Sequence, residues 1–297
     1  MPPTNRQLGR AIQRVVTEET AKSLPSTTSV PEPLPEEQRR LFRELLKLAN
    51  EQQIPYAVSG AFSLQQHTGI WRFTKDLDLF LTAEHLPCAL SLLEKAGFGC
   101  EICDPVWLAK ARRGEFFVDL ITGMSNGVIV VDDSWIARSQ PATLLGIATR
   151  VLAPEELIAS KLFVTRRERF DGADIAHIVF ALRGQLDWQR ILDIAGEHWE
   201  MLFWALVLFH YVYPAHANYV PSLIWSDLLQ RFQDAISHPD PAAPFRGSLI
   251  DEKMFAIDVN EWGLHDVLET QRSLRLRGNA DFAEAFKRSA GTELRKL

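Results

Sequence analysis

The run Lys75-Asp76-Leu77-Asp78-Leu79-Phe80-Leu81 constrains the fold more than any other stretch of the chain. Its residues alternate in the manner of a β-strand, and on a strand residues i and i+2 point to the same face. Asp76 and Asp78 therefore aim both carboxylates at one point, and that point can hold a divalent metal. The preceding segment adds to this. Ile54–Val58 reads as a strand ended by Ser59-Gly60, where a helix is expected to start and to present backbone N–H groups to an anion. Between that helix and the acidic strand, residues 67–75 form a loop carrying Gly69 and the cations Arg72 and Lys75. Trp71 lies within it, where it can stack on a base or close the core, and His67 reads best as a capping or core histidine.

Further along, Phe98–Cys103 and Phe116–Ile121 are expected strands, and the second places Asp119 inside an otherwise apolar run. A buried, uncompensated carboxylate is costly, so Asp119 also asks for a cation. Val128–Val131 is a further candidate strand, and Ala142–Leu152 has room for one or two more. Helices are expected over the segment opened by Pro35-Glu36-Glu37, with Pro and acids in the first turn, and over Glu84–Lys95, with Gly97 as its C-terminal stop. From Pro154-Glu155-Glu156 onward the pattern is helical throughout, with helices at Trp188–His198, Glu200–Tyr213, Pro221–Ile236, Asp258–Leu264 and Asn279–Ala290. A short amphipathic helix fits residues 6–24, and Pro25, Pro31, Pro33 and Pro35 mark an extended segment. The expected organisation is an arm over residues 1–34, a mixed sheet flanked by helices over 35–153, and an all-helical domain over 154–297, an α+β chain.

Composition narrows the function classes. With 297 residues, 46% apolar, and a net charge of -6, the chain is long enough for two globular domains and too acidic for a broad nucleic-acid coat. A local basic cleft remains open to Arg72, Lys75, Arg112 and Arg113. Cys100 and Cys103 form a C-x-x-C, but no second cysteine pair or histidine pair accompanies it, so the three cysteines are expected as reduced thiols in a cytoplasmic protein. No signal-peptide pattern opens the chain, and Met201–Tyr213, its most apolar stretch, is too short to span a bilayer and is expected as a buried helix.

Taken in order, the strand, the Ser59-Gly60 turn, the cationic loop, Asp76-x-Asp78 and then Asp119 resemble the nucleotidyltransferase superfamily built on the DNA polymerase β palm. Within it, Arg72-x-Thr74-x-Asp76-x-Asp78 is similar to the R-x-T-x-D-[IL]-D of bacterial nucleotidyltransferase-like proteins of the abortive-infection toxin type. Glu155-Glu156-Leu157-Ile158-Ala159-Ser160-Lys161, followed by Arg169-x-Asp171-x-x-Asp174, is similar to that group's downstream lysine, arginine and D-x-x-D. The likeness covers about residues 54–180, and Ser59-Gly60 departs from it by reversing the more usual Gly-Ser order.

The resemblance implies that an acceptor hydroxyl attacks the α-phosphorus of an NTP and releases pyrophosphate. It implies two Mg2+ or Mn2+ ions held by Asp76, Asp78 and Asp119, with Asp119 also assisting deprotonation of the acceptor. Ser59 and Gly60 would grip the triphosphate, Arg72 and Lys75 would neutralise it, and Lys161 would reach it from the second domain. Arg169, Asp171 and Asp174 form a possible second-domain site, against which stands the simpler reading of a helix cap and an ion pair. The acceptor, whether small molecule, protein or tRNA, is not encoded in the motif. Two other classes remain: a noncatalytic toxin-like or regulatory module on the same fold that binds a protein or RNA partner, and a phosphohydrolase. Phe80 disfavours the latter, because it stands where the hydrolase pattern D-x-D-x-[TV] has Thr or Val.

Overall fold

The computed structural model describes residues 34–278. The helix and proline-rich arm expected before residue 34, and the helix expected over 279–290, lie outside the described residues. By compactness the chain divides into a sheet unit, residues 34–66, 70–153 and 244–278, and a helical unit, Pro154–Ala243 with His67–Gly69. The sequence expectation of one helical domain from 154 onward differs here, since the segment from Pro244 groups with the sheet.

Helix α1 (Glu36–Glu51) opens after Pro35 with Glu36 and Glu37 in its first turn, and buries Gln38, Leu41, Phe42, Leu45, Leu46 and Ala49, a stripe of helical period. Strand β1 (Ala57–Val58) is short and fully buried, and helix α2 (Gly60–Thr68) follows it directly. Strand β2 (Asp76–Phe80) carries the acidic pair. Helix α3 (Leu86–Lys95) stops at Gly97, whose φ of +82° is the left-handed conformation expected just past a helix end. Strands β3 (Gly99–Asp104), β4 (Leu108–Arg113) and β5 (Phe116–Ile121) form an antiparallel meander.

Val128–Val131 is not a strand: only a single bridge, Gly123 to Val130, forms there. Helix α4 (Asp133–Arg138) follows, capped by Asp132, whose carboxylate accepts from Ser134 N–H at 2.8 Å. Strands β6 (Gln140–Leu144) and β7 (Ile147–Val151) make a hairpin through Leu145-Gly146, both at positive φ, the geometry that suits the strand twist.

The seven strands lie in the order β3-β4-β5-β2-β1-β7-β6, with β2–β5 and β1–β7 parallel and the other pairs antiparallel. Alternation gives the central strands two unlike faces. Leu77, Leu79, Ala109, Ala111, Val118 and Leu120 enter the core cluster with Phe42, Leu45 and Leu46 of α1 and Leu86, Leu90 and Leu93 of α3. The opposite face carries Asp76, Asp78, Lys110, Arg112, Phe117 and Asp119, whose register places them on neighbouring rungs.

The remaining helices of the sheet unit are α10 (Gly247–Asp251), α11 (Ala256–Asn260) and α12 (Leu268–Gly278), numbered after those of the helical unit. Helices α10 and α12 are tied to the rest of the sheet unit by polar contacts that periodicity does not reveal. Arg272 Nη2 donates to both oxygens of Asp104 at 3.0 Å, Arg275 donates to Thr122 O at 3.0 Å, and Asn126 donates to Leu249 O at 3.1 Å.

The helical unit comprises α5 (Pro154–Lys161), α6 (Gly172–Ala181), α7 (Trp188–Ala195), α8 (Trp199–Val212) and α9 (Ser222–Ser237). Every residue of α5 is buried, including both acids of its first turn. Glu155 accepts from Asp187 N–H at 2.8 Å, just before α7, and Glu156 pairs with Arg190 on α7 at 2.9 Å. Helix α8 differs from the expected wholly buried helix: Leu202, Ala205, Leu206 and Phe209 are buried, while Trp204, Val207, Tyr211 and Val212 are exposed. Among the described residues no helix is long and apolar enough to cross a membrane.

Candidate functional site

The three acids converge. In the parallel β2–β5 pair Asp78 sits opposite Asp119, and Asp76 lies two residues earlier on the same face. One carboxylate oxygen from each of Asp76, Asp78 and Asp119 lies within 4.8 Å of the others. Asp119 is buried and its neighbours half-buried. Burial pushes the Asp119 carboxyl above its ordinary value, the adjacent Lys110 opposes that, and the Asp76 charge adds to it.

Each acid is held by its surroundings. Thr74 donates its hydroxyl to the Asp76 carboxylate, and Thr74 is itself fixed by Gln38 of α1, which donates Nε2 to Thr74 O at 2.9 Å. Asp78 lies against the start of α2. Ser59 N–H donates to Asp78 O at 2.9 Å, extending the β1–β2 ladder, and Gly60 then turns the chain at φ +58°. A Cβ at Gly60 would fall 1.8 Å from Asp78 Oδ2, so any larger residue would force that carboxylate to move, besides being strained at this φ. Gly60 opens α2, and N–H groups in a first helical turn have no intrahelical acceptor.

Asp119 is met by Lys110 of β4, whose Nζ donates to Oδ1 at 2.6 Å. The same ammonium lies 4.2 Å from the centre of the Phe117 ring, with the Arg112 guanidinium 5.1 Å from it.

Three hard oxygen donors converging on one point form a donor set suited to Mg2+ or Mn2+. The glycine under Asp78 fits the same purpose, because it lets the carboxylate lie against the backbone where a Cβ would displace it.

The other sequence candidates fall as follows. Arg72 and Lys75 are exposed on the loop before β2. Trp71 packs edge-on against Phe62, 5.3 Å between ring centres, and so helps to close the core. His67 lies in the last turn of α2. In the helical unit, Lys161 does not project into solvent. It is buried and donates to Asp171 at 2.8 Å and to Asp174 at 2.9 Å, while Arg169 forks onto both oxygens of Asp171 at 3.1 Å. Burial would raise the Asp171 carboxyl, but Lys161 and Arg169 outweigh it and hold it below its ordinary value. Asp171, expected as a side-chain cap, makes no capping hydrogen bond to α6 because its oxygens serve these two cations.

Three residues with roles at the acidic site were not singled out from sequence: Gln38, Thr74 as the orienter of Asp76, and Lys110. The last had a faint signal in the alternation Ala109, Lys110, Ala111, Arg112, which is the pattern of a strand with one small apolar face and one cationic face.

A search of curated proteins finds no matching sequence. Among solved structures, the chain is similar to the antibiotic-resistance factor ANT(2'')-Ia in solution, at 17% identity over 59% of this chain and 97% of that one, with a TM-score of 0.42. It is similar to the lincosamide antibiotic adenylyltransferase LnuA with lincomycin bound, at 17% identity over 48% and 96%, TM-score 0.35. It is also similar to an antigenic nucleotidyltransferase-like protein from Paracoccidioides brasiliensis, at 18% identity over 63% and 94%, TM-score 0.39. The family model described as "Nucleotidyl transferase of unknown function (DUF2204)" matches residues 38–195, just over half of the chain and all three acids, and the protein therefore belongs to that nucleotidyl transferase family.

Proposed function

We propose that the protein is a metal-dependent nucleotidyltransferase that moves a nucleoside monophosphate from an NTP to an acceptor hydroxyl and releases pyrophosphate. The observation that carries this reading is the convergence of Asp76, Asp78 and Asp119 beside the Gly60 turn, within a chain of this family. Asp76 and Asp78 would hold the divalent ion, with Thr74 fixing the first and the Gly60 turn leaving room for the second. When bound, the ion draws charge from the phosphates and from the attacking oxygen. Asp119, directly opposite Asp78 on the same face of the sheet, would assist deprotonation of the acceptor. The Ser59 hydroxyl and the first N–H groups of α2 bind the triphosphate, and Arg72 and Lys75 offset its charge.

The test is pyrophosphate release and label transfer from each α-labelled NTP with Mg2+ or Mn2+. Acceptor arms contain an aminoglycoside, a lincosamide, bulk tRNA and a protein extract. The reading expects metal-dependent nucleotide binding and transfer that Asp76→Ala with Asp78→Ala abolishes. Nucleotide binding unchanged by that double variant, with no metal requirement, would refute it.

A further inference from the structure

Lys110 has no place in the three-carboxylate scheme, yet its side chain donates directly to Asp119. Its Nζ lies 2.6 Å from Asp119 Oδ1, a charge-assisted distance, and both side chains are largely buried. The ammonium is held from two sides: the antiparallel register sets Lys110 directly opposite Asp119, and the Phe117 ring, 4.2 Å away, offers its negative face. Phe117 in turn is the rung partner of Asp76, so Lys110 is seated within the acidic face and not at its rim. Lys110 places a fixed positive charge against Asp119, and the Arg112 guanidinium adds a second on the same face of the sheet. A second ion bound at Asp119 Oδ1 would have to displace a tethered cation already in contact and would then lie close to it, a repulsion that burial strengthens.

We infer that Lys110 is a built-in counter-ion that stands in for the second metal, so that this site takes one divalent cation where the three acids alone would take two. The inference rests on the nucleotidyltransferase reading and would reduce to one the pair of ions expected from resemblance. Lys110 acts through Asp119 as a positioning residue: it fixes the Asp119 carboxylate in place before any metal arrives, leaving Asp76 and Asp78 to hold the ion.

The experiment counts Mn2+ on the full chain by equilibrium dialysis and by electron paramagnetic resonance, with Mn2+ alone and with a nonhydrolysable ATP analogue, the Mn2+ carried by free analogue being subtracted. The wild type and Lys110→Arg are expected to bind one Mn2+ per chain with no metal–metal coupling. Lys110→Met, which frees Asp119, is expected to bind two with a coupled signal. A coupled pair in the wild type overturns the inference, and so does a count of one in a folded Lys110→Met. Because the wild-type count needs no variant, the inference stays exposed to refutation even if Lys110→Met fails to fold. Absence of Mn2+ from both wild type and variants, with and without the analogue, would instead refute the nucleotidyltransferase reading beneath it.

Discussion

Replacing Gly60 by alanine should separate the site from the stability of the fold. Two costs follow from the structure. At φ +58° an L-residue is strained by about 1–2 kcal/mol. A Cβ 1.8 Å from Asp78 Oδ2 and 3.0 Å from its Cγ must also push that carboxylate off its rotamer, an overpacking cost of about 1–3 kcal/mol. Gly60→Ala should therefore destabilise by about 2–5 kcal/mol in total and lose Mn2+ binding, because Asp78 can no longer face Asp119. In an Asp78→Ala background the collision disappears and only the backbone strain of about 1–2 kcal/mol remains. Urea melts of the four proteins in this cycle, with Mn2+ titrations of each folded form, give the coupling directly. Equal costs of Gly60→Ala in both backgrounds, or Mn2+ affinity in Gly60→Ala equal to the wild type, would refute the argument that Gly60 exists to admit Asp78.

Three further expectations concern other parts of the molecule. Lys161→Met leaves Asp171 and Asp174 buried without their shared cation and should cost about 3–5 kcal/mol by chemical denaturation; a loss below 1 kcal/mol would show the cluster to be solvated. The Asp171 carboxyl is held below its ordinary value of 3.8, so its contribution is complete above that pH and disappears as pH falls through the lower folded value; the melting difference between wild type and Asp171→Asn should be constant at neutral pH and shrink only in that acid range. Burial and the Glu94 charge push the Cys100 thiol up to about 12, so at pH 8 iodoacetamide should label the exposed Cys88 well before Cys100, as peptide mass mapping would read.

The acidic site was legible in the sequence because its geometry is local or periodic. Asp76 and Asp78 share a face on any strand, and Asp119 announces itself as a charge in an apolar run. Gly97 past α3 and Pro35 before α1 were equally readable, each through a backbone preference. Strand β4 was not read as a strand, because Leu108–Arg113 looks like a solvated stretch until its partners cover Ala109 and Ala111 and set Lys110 against Asp119. Gln38 was hidden for a related reason: a glutamine on an amphipathic helix reads as surface, and only its distant partner Thr74 explains why it is wholly buried. Lys161 shows the reverse case. Its sequence pattern suggested a reaching cation, but α5 is buried on all sides and the two nearby acids engage the ammonium. The helices after Pro244 join the sheet unit through Arg272, Arg275 and Asn126, long-range polar contacts that leave no periodic trace.

The most direct test of the central claim is a crystal structure of the full chain grown with MnCl2 and a nonhydrolysable ATP analogue. The account predicts an anomalous peak between Asp76 and Asp78, with the triphosphate against the Ser59-Gly60 turn. Full occupancy by the nucleotide with no manganese at those carboxylates, or manganese bound only elsewhere on the molecule, would contradict it.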